Sequence, residues 1–264
     1  MEHFISIGGY KMYPSDLKDE EWKLIEPFLK RPDPRGNPGL YEKRAIMNGI
    51  LYVLEGGIKW RMIPNDFPPW ISIYGHFRQW NLRGIWEKVL QFLNKKVRTN
   101  KGRSDSPTYA IIDSQSVKTQ YNSEERGIDG GKQVKGRKRH IGVDILGNML
   151  EVQVHAANRN DTMKGGNICE QIAEKHSTVE AFSADEGYRG TTREFVENVL
   201  ELRFEISKKI KDKFVILPKR WVVERTFAWL GNFRRLAKDF EILTATAENM
   251  VRIAMIKISL AKCT

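Results

Sequence analysis

Residues 109–118 read YAIIDSQSVK, a short apolar run that ends in an aspartate and then turns polar. The run reads as a strand that delivers Asp113 at its C-terminal end. A carboxylate in that position is often only a turn residue or a helix cap, so what matters is whether other acids reach the same place. A second run, AFSAD at residues 181–185, leaves Asp185 in the equivalent position. If the two strands are parallel neighbours, their C-terminal ends bring the carboxylates side by side, where open α/β sheets build their sites. Adjacent carboxylates repel unless a proton or a cation neutralises them. Mg2+, with Mn2+ as a substitute, suits such a pair because it prefers oxygen ligands and is held by carboxylates together with substrate phosphate.

A third acid is expected from a helix packed alongside. KRWVVERTFAWLGNFRRL (219–236) predicts a helix from about 220 to 237 with Glu224 near its start. Val222, Val223, Thr226, Phe227 and Leu230 make its apolar stripe, while Arg220, Ala228, Gly231 and Arg235 share the side of Glu224. A buried structural ion pair between Glu224 and an arginine is the competing reading. Three carboxylates with divalent metal point to phosphoryl transfer on a nucleic-acid backbone by a two-metal-ion mechanism. Other chemistries fit less well. GIDGGKQVKG (127–136) neither follows a strand nor has Walker spacing, the five histidines form no close pair, and the serines lack a nucleophile-elbow context. Cys169 and Cys263 are the only cysteines, which excludes a disulfide framework and a cysteine-based zinc site.

The chain has 264 residues with 44 Lys+Arg against 33 Asp+Glu, a formal net charge of +11. That balance favours a polyanionic partner, nucleic acid being the usual one. No apolar run approaches the roughly 20 residues of a membrane span. The start, MEHFISIGGYKMYPSDL, lacks a basic segment followed by a long apolar one, so a cytoplasmic, nucleoid-associated protein without membrane contact is expected.

Five of the seven tryptophans precede residue 90, which predicts an aromatic-cored helical unit of its own. Its first helix lies in SDLKDEEWKLIEPFL (15–29), with Ser15 and Asp16 as N-cap candidates. PRGNPG (34–39) breaks the chain, and YEKRAIMNGILYVLEGG (41–57) is a second helix closed by a glycine pair. A third starts near Ser72 with Ile73, Phe77 and Trp80 inward and His76, Arg78 and Gln79 outward; a fourth covers about 85–98. The set resembles a helix-turn-helix arrangement, with Arg78 and Gln79 as candidate DNA contacts and a merely solvated bundle surface as the competing reading. TNKGRSDSP (99–107) reads as a linker. Beyond it come a hairpin in RHIGVDILGNMLEVQVHAA (139–157), a helix at about 165–175, the Asp185 strand, a helix at about 192–202 and a strand RFEISK (203–208). The fold class is therefore α/β, a mixed sheet flanked by helices over 108–264, preceded by a small all-helical DNA-binding domain over 1–98. Between the first two core strands, a basic insert at 118–139 carries Lys132, Lys135, Arg137, Lys138 and Arg139, which are read as phosphate contacts in preference to a solvated or disordered face.

AIIDSQSVKT (110–119), GIDGGKQVKGRKRHIGVD (127–144), ADEGYRG (184–190) and RWVVERTFAWLGNFRRLAKDFE (220–241) resemble the bacterial insertion-sequence transposases of the DDE type, in the group named after insertion sequence five. EWKLIEPFL (21–29), GILYVLEGGIKWRMIPNDFPPW (49–70) and FRQW (77–80) resemble the N-terminal region of the same proteins. The resemblance implies an RNase H-like catalytic domain with Asp113, Asp185 and Glu224 as a metal-binding catalytic triad. It also implies Arg220 as the arginine four residues before the glutamate. The tyrosine and lysine that accompany it in the wider superfamily are replaced by Leu217 and Gly231, so Arg234, Arg235 or Lys238 are the candidates to serve instead, and Arg225 is a further expected DNA contact on the same helix. The second motif departs from Asp-Gly-Gly-Tyr by placing Glu186 after Asp185, and the stretch between RFEISKK and FVILPKRW is short. The implied activity is cleavage at the element's terminal inverted repeats and joining of 3′ hydroxyls to target DNA, by a dimer or larger assembly on double-stranded DNA. The competing expectations are a decayed or repurposed transposase that binds without cutting, and a stand-alone metal-dependent nuclease.

Overall fold

The strand that carries Asp113 does not stop there. In the computed structural model, which describes residues 13–30, 39–207 and 218–264, β1 runs from Tyr109 to Lys118 with Asp113 at its middle. The polar half persists as a strand because it has a partner. β3 (Val134–Val143) pairs antiparallel with it from Ile111 opposite Val143 to Lys118 opposite Gly136. β4 (Met149–Ala156) returns along the other edge of β3 after a turn in which Gly147 takes φ +79°, a left-handed conformation suited to glycine. The short β2 (Gly127–Asp129) pairs with the start of β3. On the opposite side of β1, β5 (Ala181–Asp185) and then β6 (Arg203–Ser207) add in parallel. The main order is β4-β3-β1-β5-β6, a mixed RNase H-like sheet.

Period-two alternation splits the core between the two faces. Ala110, Ile112, Phe182 and Ala184 face α5 (Asp161–Lys175) and α6 (Thr191–Asn198). Ile111, Ile141, Val143 and Val152 face α7 (Pro218–Gly231) and α8 (Thr244–Cys263). The four N-terminal helices, α1 (Asp19–Leu29), α2 (Lys43–Gly56), α3 (Trp70–Leu82) and α4 (Ile85–Asn100), join this second layer. Their tryptophan cluster exists, with Trp80 and Trp86 edge-to-face at 5.5 Å, but its core runs without a break into α8 and the sheet. Arg98 fixes the 99–107 stretch, pairing with buried Asp144 at 2.6 Å and donating to the carbonyls of Ser104 and Ser106.

Several expected boundaries move. α1 begins at Asp19, with Lys18 at its N-cap, because Asp16 instead accepts the Tyr13 N–H and closes the preceding turn. α6 ends at Asn198, and α7 ends at Gly231 with a separate 3-10 turn at Arg234–Leu236. PRGNPG up to residue 38 and the short stretch at 208–217 lie outside the described residues. No helix among the described residues is long and apolar enough to cross a membrane.

The expected basic insert is the larger correction. Arg137, Lys138 and Arg139 belong to β3 and are buried. Arg137 pairs with Asp239 at 3.0 Å and donates to the carbonyls of Glu124, Glu241 and Ile242. Arg139 donates to Leu236 O at 2.7 Å, and Lys138 pairs with Asp161 at 2.9 Å on the other face. Removing one member of a buried ion pair strands its partner, at a cost of about 3–5 kcal/mol. Arg137→Ala is therefore expected to lose about that much stability in urea denaturation, whereas Lys135→Ala, at an exposed position, stays within about 0.5 kcal/mol of the parent. Equal effects would contradict the structural role of Arg137.

Candidate active site

Sheet register brings the two aspartates together. β1 and β5 pair in parallel with Ile111 opposite Ser183, and two residues further along the same register Asp113 lies alongside Asp185. Both are partly buried, on the face that carries Ile111 and therefore α7. Asp113, Ser183, Asp185, Ser207, Arg220 and Val223 line one crevice with about 10 Å³ of free volume. Asp185 also caps the next turn, its Oδ1 accepting the Gly187 N–H at 2.9 Å. α7 contributes the third acid. Glu224 is exposed, and its Oε1 accepts from Arg220 Nε at 2.8 Å. The same guanidinium approaches Asp185, with Nη2 3.9 Å from Oδ2.

The electrostatics fit an oxygen-liganded cation. Burial pushes the Asp113 carboxyl up to about 7, and Asp185 beside it adds to the rise. The Ser114 N–H, Arg220 and Lys132 act in the other direction without cancelling it. A carboxylate pair short of positive charge is the donor set that a hard divalent cation prefers. Among the described residues, no three acids, histidines or cysteines stand close enough to hold one ion together, and Arg220 contacts both Glu224 and Asp185. Glu186 turns away from the pair, exposed and joined to Arg189 at 3.0 Å.

The basic residues singled out in the sequence divide by environment. Lys132 and Lys135 are exposed, and Lys132 is close enough to act on Asp113. Arg78 and Gln79 project from α3, and Arg234 is exposed after α7. Arg235 is buried on Glu241 at 2.8 Å and on Ile58 O at 3.0 Å, which fastens the N-terminal helices to the segment after α7. Arg225 is stacked between Trp221 and Trp229, 4.6 and 4.5 Å from their ring centres, and donates to Leu146 O. Arg137, Lys138, Arg139 and Arg235 are thus withdrawn from the surface expected of them.

Directly behind the aspartates, on the α5 face, lies a polar layer that sequence reading missed. Ser114 Oγ donates to Asp161 at 2.9 Å, and Lys138 reaches the same carboxylate. The Tyr188 hydroxyl meets His140 Nε2 at 2.9 Å, both side chains being buried. Burial lowers His140 to about 3, so it is neutral and Tyr188 keeps its proton. The one available signal was the tyrosine inside ADEGYRG, three residues after Asp185. A groove of about 560 Å³ between β4, α5 and α8 lies on the far side of β3 from this pair and is lined by Glu124, Glu125, Glu151, Glu248 and Arg252 among others. Its glutamates are committed to the protein: Glu248 and Glu125 accept the outward N–H groups of Val154 and Ala156, which blunts the edge of β4.

Comparison with known proteins agrees with this geometry. A family model described as "Transposase DDE domain" matches residues 105–257, more than half of the chain. A second, described as "Putative transposase of IS4/5 family (DUF4096)", matches residues 17–90. The "Insertion element IS402 uncharacterized 16.2 kDa protein" of Burkholderia cepacia is 34% identical over 110 residues, covering 39% of this chain and 72% of that protein. No solved structure matches.

The raised Asp113 pKa has a definite sign for stability. The folded protein holds this proton between pH 3.8, where the free side chain titrates, and about 7, so stability falls as pH rises through that window. Asp113→Asn removes the titration. In a chelating buffer the variant is expected to gain on the parent from pH 4 to pH 8, about 2–4 °C in Tm for each kcal/mol. Thermal melts across pH check this, and a Tm difference that stays constant with pH would contradict it.

Proposed function

The chain belongs to the DDE transposase family, an enzyme family that acts on DNA, and from that premise we propose that this protein cuts DNA at the ends of its insertion sequence and joins the 3′ hydroxyls to a target. The observation that carries the reading is the shared register of Asp113 and Asp185, with Glu224 presented from α7 on the same face. DDE transposase domains generally use divalent metal ions. In this reading Asp113, Asp185 and Glu224 hold Mg2+, or Mn2+ in its place, through oxygen atoms alone. The metal supplies charge stabilisation for the attacking and leaving oxygens of an in-line displacement.

The protein's own groups do the remaining work. Asp113 and Asp185 sit on strands of the sheet, and Glu224 approaches from α7, which packs against the same face. Lys132, Lys135, Arg220 and Arg234 are placed to neutralise phosphates close to the cutting site. Arg78 and Gln79 on α3 are the candidates for base contacts, in an N-terminal helical region of about 1–98 that recognises the element's inverted repeats. Two ends must be brought together for joining, which calls for a dimer or larger assembly on double-stranded DNA in the nucleoid.

The test is cleavage and joining of a duplex that carries the element's terminal repeats, with Mg2+ or Mn2+. The parent protein is expected to cut at the repeat ends. Asp113→Asn, Asp185→Asn and Glu224→Gln are each expected to lose more than about 100-fold in cutting while still binding the repeats. Specific binding by the parent with no cutting in either metal would replace this reading with a DNA-binding protein that does not cleave.

A further inference from the structure

Three carboxylates gathered on one face of a sheet need positive charge whether or not a metal is bound. The side chain that supplies it is Arg220, in the first turn of α7, whose Nε is 2.8 Å from Glu224 Oε1 and whose Nη2 is 3.9 Å from Asp185 Oδ2. It also lines the crevice between Asp113 and Asp185, which has about 10 Å³ of free volume. That is no more than the space a single water needs, about 10–15 Å³. A divalent ion that carries several waters therefore competes with the guanidinium for the same small crevice.

We propose that Arg220 is an exchangeable counter-ion: it neutralises Asp185 and Glu224 in the metal-free protein, and a divalent cation releases it to a phosphate of the DNA substrate. The inference rests on the triad reading above and adds a second, positioning role for one residue. A guanidinium cannot leave by losing its proton, so it can only change partners. Its two-pronged donor edge fits a phosphate as well as a carboxylate. A partly exposed pair at i and i+4 is weak, so the exchange meets little resistance. Metal and DNA then help each other to bind, because each removes Arg220 from the place the other leaves it, and linkage makes the effect reciprocal.

The probe is Mn2+ binding to the full-length protein, read as the free-ion electron paramagnetic resonance signal, with and without duplex DNA carrying the repeats. In the parent, DNA is expected to tighten Mn2+ binding. Arg220→Gln removes the competing cation, so Mn2+ is expected to bind about tenfold tighter without DNA, and added DNA to change its affinity little. In a chelating buffer the same variant melts lower than the parent and gains more on adding Mn2+. A purely structural role for Arg220 would weaken Mn2+ binding instead. Arg220→Lys keeps the charge without the second donor arm, and should restore most of the parent's weak affinity together with its dependence on DNA. Mn2+ binding by Arg220→Gln that is equal to or weaker than the parent's overturns the proposal. If Arg220→Gln does not fold, loss of the DNA effect in Arg220→Lys with parental Mn2+ affinity overturns it equally. Asp185→Asn separates the two readings: unaltered Mn2+ binding in that variant removes the triad assignment, whatever Arg220 does.

Discussion

Repulsion between Asp113 and Asp185 is the constraint around which this molecule is arranged. β1 and β5 pair in parallel as far as Ile111 opposite Ser183, and both strands run on from there to bring the two carboxylates into one crevice. Burial removes the solvent that would screen them, and the Asp113 carboxyl rises accordingly. The opposing charge comes from α7, the element able to approach that face with Val223 packed inward and Arg220 and Glu224 beside it. The back of the sheet is equally constrained. Ser114 follows Asp113, so it must point the other way, and there it is tied to Asp161 and Lys138, with Tyr188 and His140 alongside. A strained pair on one face is held by a hydrogen-bonded layer on the other.

α8 makes that arrangement rigid. Its buried residues, from Ala247 through Met250, Val251, Ile253, Ala254, Met255 and Ile256 to Leu260, surround most of the helix. It packs at once on the sheet, on α7 and on the N-terminal helices, so the helical region and the sheet share one hydrophobic core. Ion pairs extend the connection: Lys257 reaches Glu21 on α1 at 3.2 Å, and Arg252 reaches Glu151 on β4 at 2.8 Å. A displacement of α3 would therefore be passed to the crevice of Asp113 and Asp185 through packed side chains.

The sequence made the strands, the neighbouring aspartates and the inward face of α3 legible because each depends on local pattern. Ile73, Phe77 and Trp80 recur at helical spacing and are buried as read. AIID and AFSAD carry the same apolar-to-acid transition, and parallel pairing aligned them. α8 escaped for the opposite reason: Glu248, Asn249, Arg252 and Lys257 interrupt its apolar residues, and contacts with the sheet, α7 and the N-terminal helices bury more than one side, so no single 3.6-residue stripe stands out. The true end of β1 was hidden because its second half, SQSVK, is held by β3 rather than by its own apolar content. Arg220's position between Asp185 and Glu224 was not legible either, since it depends on how α7 lies across β5.

The fate of the basic run shows why charge in a sequence cannot be assigned a partner until the layer it occupies is known. GRKR at residues 136–139 resembles a phosphate-binding stretch, and in a loop it would be one. On β3 it is flanked by β1 and β4 and covered on both faces, so alternation sends Arg137 and Arg139 toward the segment after α7 and Lys138 toward α5. Each buried cation then requires an acid or carbonyl, and the chain supplies Asp239, Glu241 and the Leu236 carbonyl on one side and Asp161 on the other. Asp239, Glu241 and Leu236 all come from the C-terminal segment that follows α7. The cations therefore fix where α7 ends, and through it where Glu224 and Arg220 stand. Lys132 and Lys135 precede the covered part of the strand and remain free for solvent or phosphate. A net charge of +11 is thus divided between cations that build the site from within and cations that face outward, and only the second group can contribute to holding DNA.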